Sequence, residues 1–133
     1  MILVDSNVLM YAAGADHPFR VRSARLLERV AAGEVDAAID AEALQEILHR
    51  YRALNRWNEA RSVYDTARIL FPQVIPITAE ILDGAWRLLD EYRGLMARDA
   101  LHAAVVQRHS LEGVLSFDRD FDRIRTIRRI EPR

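Results

Sequence analysis

The sequence predicts an α/β fold, a three-layer α/β/α sandwich built on a mostly parallel sheet. Short apolar runs alternate along the chain with longer segments whose apolar residues recur at helical spacing, as expected for strands joined by helical crossovers. The chain has 133 residues, of which 50% are hydrophobic, so we expect one packed domain over residues 1–133. Cysteine is absent, which excludes disulfides and thiolate metal sites.

The first third of the chain predicts two strands and two helices. Each strand is a short apolar run, and each helix ends at a glycine, which is the usual residue just beyond a helix. In order, the expected elements are a strand over 2–4, a helix over about 7–13 closed by Gly14, a helix from Pro18 to Gly33 and a strand over 34–39.

The remainder of the chain predicts four more helices and up to three more strands. Asp40 and Thr78 are good N-cap residues for two of these helices, and Pro76 places the third strand at an edge or a strand end. The expected elements are a helix after Asp40, a helix over 57–70, a strand over 74–77, a helix from Thr78 to Gly94, a helix from Asp99 to about 109, a strand over 113–115 and a fifth strand over 126–130.

Four acidic residues are expected to meet at one edge of this sheet, because ligands of parallel sheets gather beyond the carboxyl ends of the strands. They are Asp5, Glu46, Asp99 and Asp118. Carboxylates suit hard cations such as Mg²⁺ or Mn²⁺. Two such ions would activate water and stabilise the leaving oxygen of a phosphodiester, so this pattern favours a metal-dependent nuclease.

Each acid also has a simpler interpretation, and their joint placement favours the metal site. Asp5 and Asp99 could be N-caps, Glu46 could pair with Arg50 on an exposed helix face, and Asp118 could be a loop acid. The remaining acids nearby are Glu42, which interaction with a helix dipole explains, and Asp120 and Asp122, either of which could assist metal binding.

Other chemistries find less support in the sequence. The four histidines lack a zinc-ligand spacing, and no G-x-S-x-G elbow or glycine-rich phosphate loop is present. An aspartyl-phosphate enzyme would need a second aspartate two residues after Asp5, where Asn7 stands. We interpret His102 as a packing or partner-contact residue.

Four stretches of the chain span nearly its whole length and begin at Val4-Asp5-Ser6-Asn7, Glu46-Ile47-Leu48, Arg98-Asp99-Ala100 and Ser116-Phe117-Asp118. In their order and spacing they resemble the PIN-domain ribonucleases, especially the VapC-like toxins of bacterial and archaeal toxin–antitoxin modules. The resemblance implies that Asp5, Glu46, Asp99 and Asp118 hold the metal ions. It also implies that Ser6 and Ser116 orient acids or water, with Asp120 assisting. Asp40 stands where relatives often have serine or threonine, which caps a helix equally well.

The resemblance also implies the biological role. The chain would be a cytoplasmic Mg²⁺-dependent endoribonuclease (Mn²⁺ being an alternative ion) that forms a homodimer and is inhibited by a cognate antitoxin. Helices around Leu9, Met10, Phe19 and residues 44–57 carry many large apolar groups, so we expect part of that surface to bind the antitoxin. Two alternatives remain open: an RNA-processing nuclease without an antitoxin, and a catalytically silent RNA- or protein-binding domain.

The charge distribution is compatible with an RNA substrate. The net charge is −1, which argues against a uniformly positive surface. All 19 basic residues are arginine, whose guanidinium group binds phosphate in a bidentate manner, and several crowd into residues 119–133.

Overall fold

A single five-stranded sheet runs through the middle of the computed structural model, which describes residues 1–133. The strands are β1 (Ile2–Val4), β2 (Ala37–Asp40), β3 (Val74–Ile75), β4 (Val114–Leu115) and β5 (Arg129–Ile130). Their order across the sheet is β3-β2-β1-β4-β5, and every neighbouring pair is parallel. The predicted parallel sheet is confirmed, and β3 lies at an edge as Pro76 indicated.

Six helices and one 3₁₀ turn connect the strands. They are α1 (Ser6–Ala13), α2 (Arg20–Ala31), α3 (Ala41–Ala53), α4 (Trp57–Leu70), α5 (Ala79–Glu91) and α6 (Ala97–Arg108), with the 3₁₀ turn over Arg119–Arg123. None of the helices is long and apolar enough to cross a membrane.

Helices cover both faces of the sheet, which gives the predicted sandwich. Successive strand residues point to opposite faces, so Val4 packs into a core shared with α1 to α4, while Leu3 packs into a second core shared with α5 and α6. Each core is lined by fully buried aliphatic side chains. Burial of both faces explains why β1 consists only of apolar residues.

The local sequence predicted the first residues of two helices correctly and those of a third incorrectly. The Asp40 carboxylate accepts the Ala43 N–H at 2.9 Å, and the Thr78 hydroxyl accepts the Ile81 N–H at 3.3 Å, so both predicted N-caps are confirmed. The prediction that Asp99 opens its helix is wrong. Helix α6 begins at Ala97 with Met96 as its N-cap, and Asp99 lies in the first turn.

Several predicted boundaries were too long, because a strand lasts only as far as its neighbours pair with it. The strands expected over 74–77 and 126–130 are reduced to β3 and β5, and the strand expected over 34–39 begins later and ends one residue later, as β2. The predicted docking surface also needs correction. Leu9 and Leu44 are buried in the core beneath α1 and α3 and cannot contact a partner.

Candidate active site

The carboxyl ends of three neighbouring strands place polar side chains around one cavity. Asp5 follows β1, Asp40 ends β2, and Ser116 and Asp118 follow β4. Helices α3 and α6 begin at the same edge of the sheet. They add Glu46 from the second turn of α3 and Asp99 from the first turn of α6. The structure thus brings the four predicted acids together, and all four line a cavity of about 580 Å³.

Two serine hydroxyl groups fix the orientation of the Asp5 and Glu46 carboxylates. The Ser116 hydroxyl donates to Asp5 Oδ2 at 2.6 Å and accepts the Asp118 N–H at 3.0 Å. The Ser6 hydroxyl donates to Glu46 Oε2 and lies 3.5 Å from Asp5 Oδ1. The carboxylate of Asp5 makes no helix-capping hydrogen bond. Its hydrogen-bond partners therefore lie in the site, and helix capping does not account for an aspartate at this position.

Asn7 belongs to the same network and was not predicted as a site residue. Its side-chain amide donates to the Ser116 hydroxyl at 3.1 Å, and it lines the cavity. Ser116 thus receives hydrogen bonds from both sides while it donates to Asp5. The position of Asn7 two residues after Asp5, at the start of a helix, was the available signal.

A second group of acids surrounds Asp99. The ligand oxygens of Asp99, Asp118 and Asp120 lie within 4.8 Å of one another. Asp99 is only 4% exposed, yet its Oδ2 atom has no hydrogen-bond partner. Asp122 turns away and forms an ion pair with Arg129 at 2.9 Å. Of the two acids left open by the sequence, Asp120 is the one that lies beside the predicted metal ligands.

The crowding of these acids changes their protonation. Burial, reinforced by the charges of Asp118 and Asp5, raises the pKa of Asp99 to about 7. Burial also raises the pKa of Asp5. Without a cation, the site thus disfavours the full set of negative charges. A buried carboxylate oxygen without a partner, surrounded by further carboxylates, fits a divalent metal ion bound through oxygen ligands.

His102 is a second residue beside the site that the sequence analysis did not predict as a site residue. It is completely buried, with Nδ1 2.6 Å from Asp40 Oδ2 and Nε2 2.7 Å from Glu46 Oε1. Asp40, Glu46 and Asp5 together raise the pKa of His102 well above its ordinary value, although burial acts in the opposite direction. Burial alone would raise the pKa of Glu46, but its hydrogen bond to His102 and the His102 charge lower it.

Of the two roles predicted for His102, partner contact is wrong because the side chain is completely buried, and its packing involves two carboxylates as well as apolar neighbours. Two signals in the sequence pointed to its location. His102 follows Asp99 by three residues, which places both on one face of a helix. Asp40 is charged where a neutral cap would suffice, and a buried charge needs a partner.

Two arginines at the cavity complete the arrangement. Arg50 and Arg98 line the cavity with exposed side chains. Glu46 makes its hydrogen bonds to Ser6 and His102, so the alternative of a surface Glu46–Arg50 pair is not observed. The cavity therefore combines an acidic floor with cationic groups that can reach phosphate oxygens.

A parallel α/β sandwich with clustered carboxylates beyond its strand ends is typical of metal-dependent phosphodiesterases. Comparisons with known proteins agree. Residues 2–127 match the family model described as PIN domain. The chain is 42% identical over 130 residues to ribonuclease VapC13 of Mycobacterium tuberculosis, covering 98% of this chain and 99% of that protein. It is 36% identical over 118 residues to ribonuclease VapC23 of the same species, covering 89% and 93% of the two chains.

Solved structures share the fold. VapC20 of Mycobacterium tuberculosis, described as a sarcin-ricin loop cleaving toxin, superposes with a TM-score of 0.75 at 21% identity, covering 99% of this chain and 100% of that chain. A chain of a toxin–antitoxin complex from Klebsiella pneumoniae gives a TM-score of 0.70 at 21% identity, covering 100% and 98%. The protein belongs to the PIN-domain family and, within it, to the VapC ribonucleases.

Proposed function

We propose that this ribonuclease is the toxin of a toxin–antitoxin pair and that it cleaves RNA by metal-assisted hydrolysis at the cavity described above. The observation that carries the proposal is the buried Asp99 oxygen, which lies without a partner among Asp5, Asp118 and Asp120. Such a group is costly to bury unless a cation compensates it. The intact set of acids also argues against a catalytically silent domain.

Asp5, Glu46, Asp99 and Asp118 would hold the divalent metal, with Asp120 assisting. When bound, Mg²⁺ or Mn²⁺ would supply an activated water and stabilise charge on the reacting phosphate. Ser116 keeps Asp5 oriented, and Ser6 keeps Glu46 oriented, through the hydrogen bonds described above. The protein thereby prepares its ligands in advance, which reduces the reorganisation needed when substrate arrives.

Arg98 and Arg50 would bind the substrate. Both side chains line the cavity beside the acids, and Arg98 lies close enough to lower the pKa values of Glu46 and Asp99 in part. We propose that they contact phosphates next to the scissile one, because guanidinium groups bind phosphate oxygens in pairs. The acids would then face only the phosphate that reacts.

Cleavage of an end-labelled RNA in Mg²⁺, in Mn²⁺ and in EDTA tests the reaction. We expect cleavage with either ion, none in EDTA, and none with the Asp99→Asn variant. Products should carry 5′-phosphate and 3′-hydroxyl ends. Undiminished cleavage in chelator would overturn the metal-assisted mechanism.

The toxin role requires a protein inhibitor. We propose that an antitoxin segment covers the cavity, which Met10 lines with a partly exposed side chain, and that an antitoxin arginine reaches the acids. The exposed Leu48 of α3 would extend this apolar contact. Expression of this chain alone should arrest bacterial growth, and co-expression of the short reading frame beside its gene should relieve the arrest. Arrest by the Asp99→Asn variant would contradict a toxicity that depends on RNA cleavage. Arrest that no neighbouring gene relieves would favour an RNA-processing nuclease.

We also propose a homodimer, as the VapC resemblance implies. The outer face of α5 exposes Trp86 and Leu82, which are 68% and 50% accessible and lie four residues apart on one side of the helix. Large apolar groups exposed together are typical of protein interfaces. This face is our candidate for the contact between two copies.

A further inference from the structure

A buried chain of three polar side chains extends from the end of β2 into the cavity. Asp40 Oδ2 contacts His102 Nδ1 at 2.6 Å, and His102 Nε2 contacts Glu46 Oε1 at 2.7 Å. Asp40 and His102 are both 0% exposed. The other oxygen of Asp40 accepts the Ala43 N–H at the start of α3, so Asp40 is itself held rigidly.

We propose that His102 is a positioning residue for metal binding: anchored by Asp40, it holds the Glu46 carboxylate in the orientation in which it can bind the cation. The inference rests on the proposed function, because it treats Glu46 as part of the metal site. It adds that the residue at position 40 affects metal affinity, because it anchors the histidine that orients Glu46.

The need for such a group follows from the flexibility of glutamate. A free glutamate side chain loses substantial rotational entropy when it is ordered. In this protein each Glu46 oxygen already has a fixed donor, since Oε2 accepts from Ser6 and Oε1 contacts His102. The ordering is therefore completed in the folded protein, before the cation arrives.

The location of His102 favours positioning over direct metal binding. Its Nδ1 and Nε2 atoms are both engaged by carboxylates, and its side chain has no accessible surface, whereas Glu46 and Asp5 reach the cavity. Its Nε2 atom lies 3.7 Å from Asp5 Oδ1, which places the imidazole directly behind the acids. Outer groups that orient metal ligands in this way typically affect metal affinity or activity 10–100-fold when they are removed.

Two amide substitutions at position 102 separate its two contacts. Glutamine places its amide nitrogen near the original Nε2 and can still donate to Glu46, whereas asparagine places its nitrogen near the original Nδ1 and reaches only Asp40. We would titrate Mn²⁺ alone into each chelator-treated protein by calorimetry, and measure kcat and KM for RNA cleavage in parallel. We expect His102→Asn to weaken Mn²⁺ binding about 10- to 100-fold and to lower kcat with little change in KM. His102→Gln should retain both properties within a few-fold.

The alternatives give different results. Equal weakening in both variants, together with unchanged Mn²⁺ affinity in the Asp40→Ser variant described below, would overturn positioning in favour of a direct metal ligand. Unchanged Mn²⁺ affinity in both would overturn it in favour of a purely structural histidine. If wild-type protein binds no Mn²⁺ and cleaves no RNA, the proposed function itself fails, and that result is distinct from a failure of the inference.

A second variant tests the chain without altering His102. Asp40→Ser keeps an N-cap for α3 but removes the carboxylate that contacts His102. We expect several-fold weaker Mn²⁺ binding in a protein that still folds but has a lower free energy of unfolding, because buried His102 loses its partner. Thr78→Ala removes the N-cap of α5 outright and serves as the control, for which Mn²⁺ affinity should not change. Unchanged Mn²⁺ affinity in a folded Asp40→Ser protein would overturn the proposed anchoring role of Asp40.

Discussion

The Nδ1 atom of His102 lies 2.6 Å from Oδ2 of Asp40, although 62 residues separate the two in the sequence. Asp40 also caps α3 through its other oxygen. The start of the helix that carries Glu46 and the buried side of the helix that carries Asp99 are therefore joined by one carboxylate. Removal of either partner would leave a buried polar group uncompensated, which is strongly destabilising.

Asp99→Asn should stabilise the metal-free protein at neutral pH. The folded-state pKa of Asp99 is raised from 3.8 to about 7, so this group destabilises the fold progressively as pH rises from about 4 to 7 and fully above 7. The free energy of unfolding of the variant should therefore exceed that of wild type in EDTA at pH 7.5, and the two proteins should be equally stable at pH 4. The full pKa shift corresponds to about 4 kcal/mol, and solvent screening reduces the expected difference to on the order of 1 kcal/mol.

The order of stability should reverse or converge in Mg²⁺, because wild type gains binding free energy that the variant largely lacks. Thermal melts at both pH values, with and without Mg²⁺, check this prediction. A variant that is less stable than wild type in EDTA at pH 7.5 would contradict a pKa of Asp99 raised by burial and by neighbouring carboxylates.

Removal of the hydroxyl group should have different effects on stability at two buried serines, Ser116 and Ser23. Ser116→Ala removes the donor to Asp5 and the acceptor of the Asp118 N–H, so it should cost about 1–3 kcal/mol and reduce RNA cleavage. Ser23 is equally buried, but its hydroxyl has no partner, so Ser23→Ala should be neutral or stabilising with full activity. Chemical denaturation of the two variants compares them directly, and similar losses of stability would contradict the prediction.

Asp120 and Asp122 should differ in metal binding. Asp120→Asn removes a carboxylate beside Asp99 and Asp118, and we expect weaker Mn²⁺ binding. Asp122→Asn removes only the ion pair of the exposed Asp122 with the mostly buried Arg129, and it should leave Mn²⁺ affinity unchanged. Calorimetric titration of both variants decides the matter. Weaker Mn²⁺ binding in the Asp122 variant alone would make Asp122, and not Asp120, the carboxylate that assists metal binding.

Arg98→Gln should weaken substrate binding more than the chemical step. We expect KM to rise several-fold and its dependence on salt to decrease, because one phosphate contact is lost. Arg68→Gln removes an exposed arginine of α4 that does not line the cavity, and it should change neither quantity. Steady-state cleavage at several salt concentrations measures the difference. An unchanged KM for Arg98→Gln would remove that residue from the proposed phosphate site.

Trp86→Glu should convert a dimer to a monomer if the α5 face is the interface. Light scattering during gel filtration measures the mass, and Ile69→Glu provides the control, since Ile69 is 78% exposed on α4. A wild-type protein that is already monomeric would contradict the proposed dimer. Dissociation by the Ile69 substitution, with Trp86→Glu still dimeric, would place the interface on α4.

The sequence by itself determined the fold class and the main members of the site. The apolar run Ile2–Val4 ending in Asp5 predicts a buried parallel strand whose end faces a cavity, because only backbone pairing and packing on both faces stabilise so short a run. Asp40 and Thr78 start their helices through hydrogen bonds within three residues, so local sequence was sufficient there. The strand ends were less predictable, since pairing depends on neighbouring strands.

Only the tertiary structure decided the environment of His102 and which of Asp120 and Asp122 lies beside Asp99. A histidine among alanines on a helix has the same local pattern whether it packs on apolar side chains or joins two carboxylates. Its partners here come from α3 and the end of β2, which the chain brings near α6 only after folding. Asp120 and Asp122 are two residues apart in one 3₁₀ turn, and the direction of that turn points one toward Asp99 and the other toward Arg129. Such choices depend on distances between elements that are remote in sequence, which local pattern does not encode.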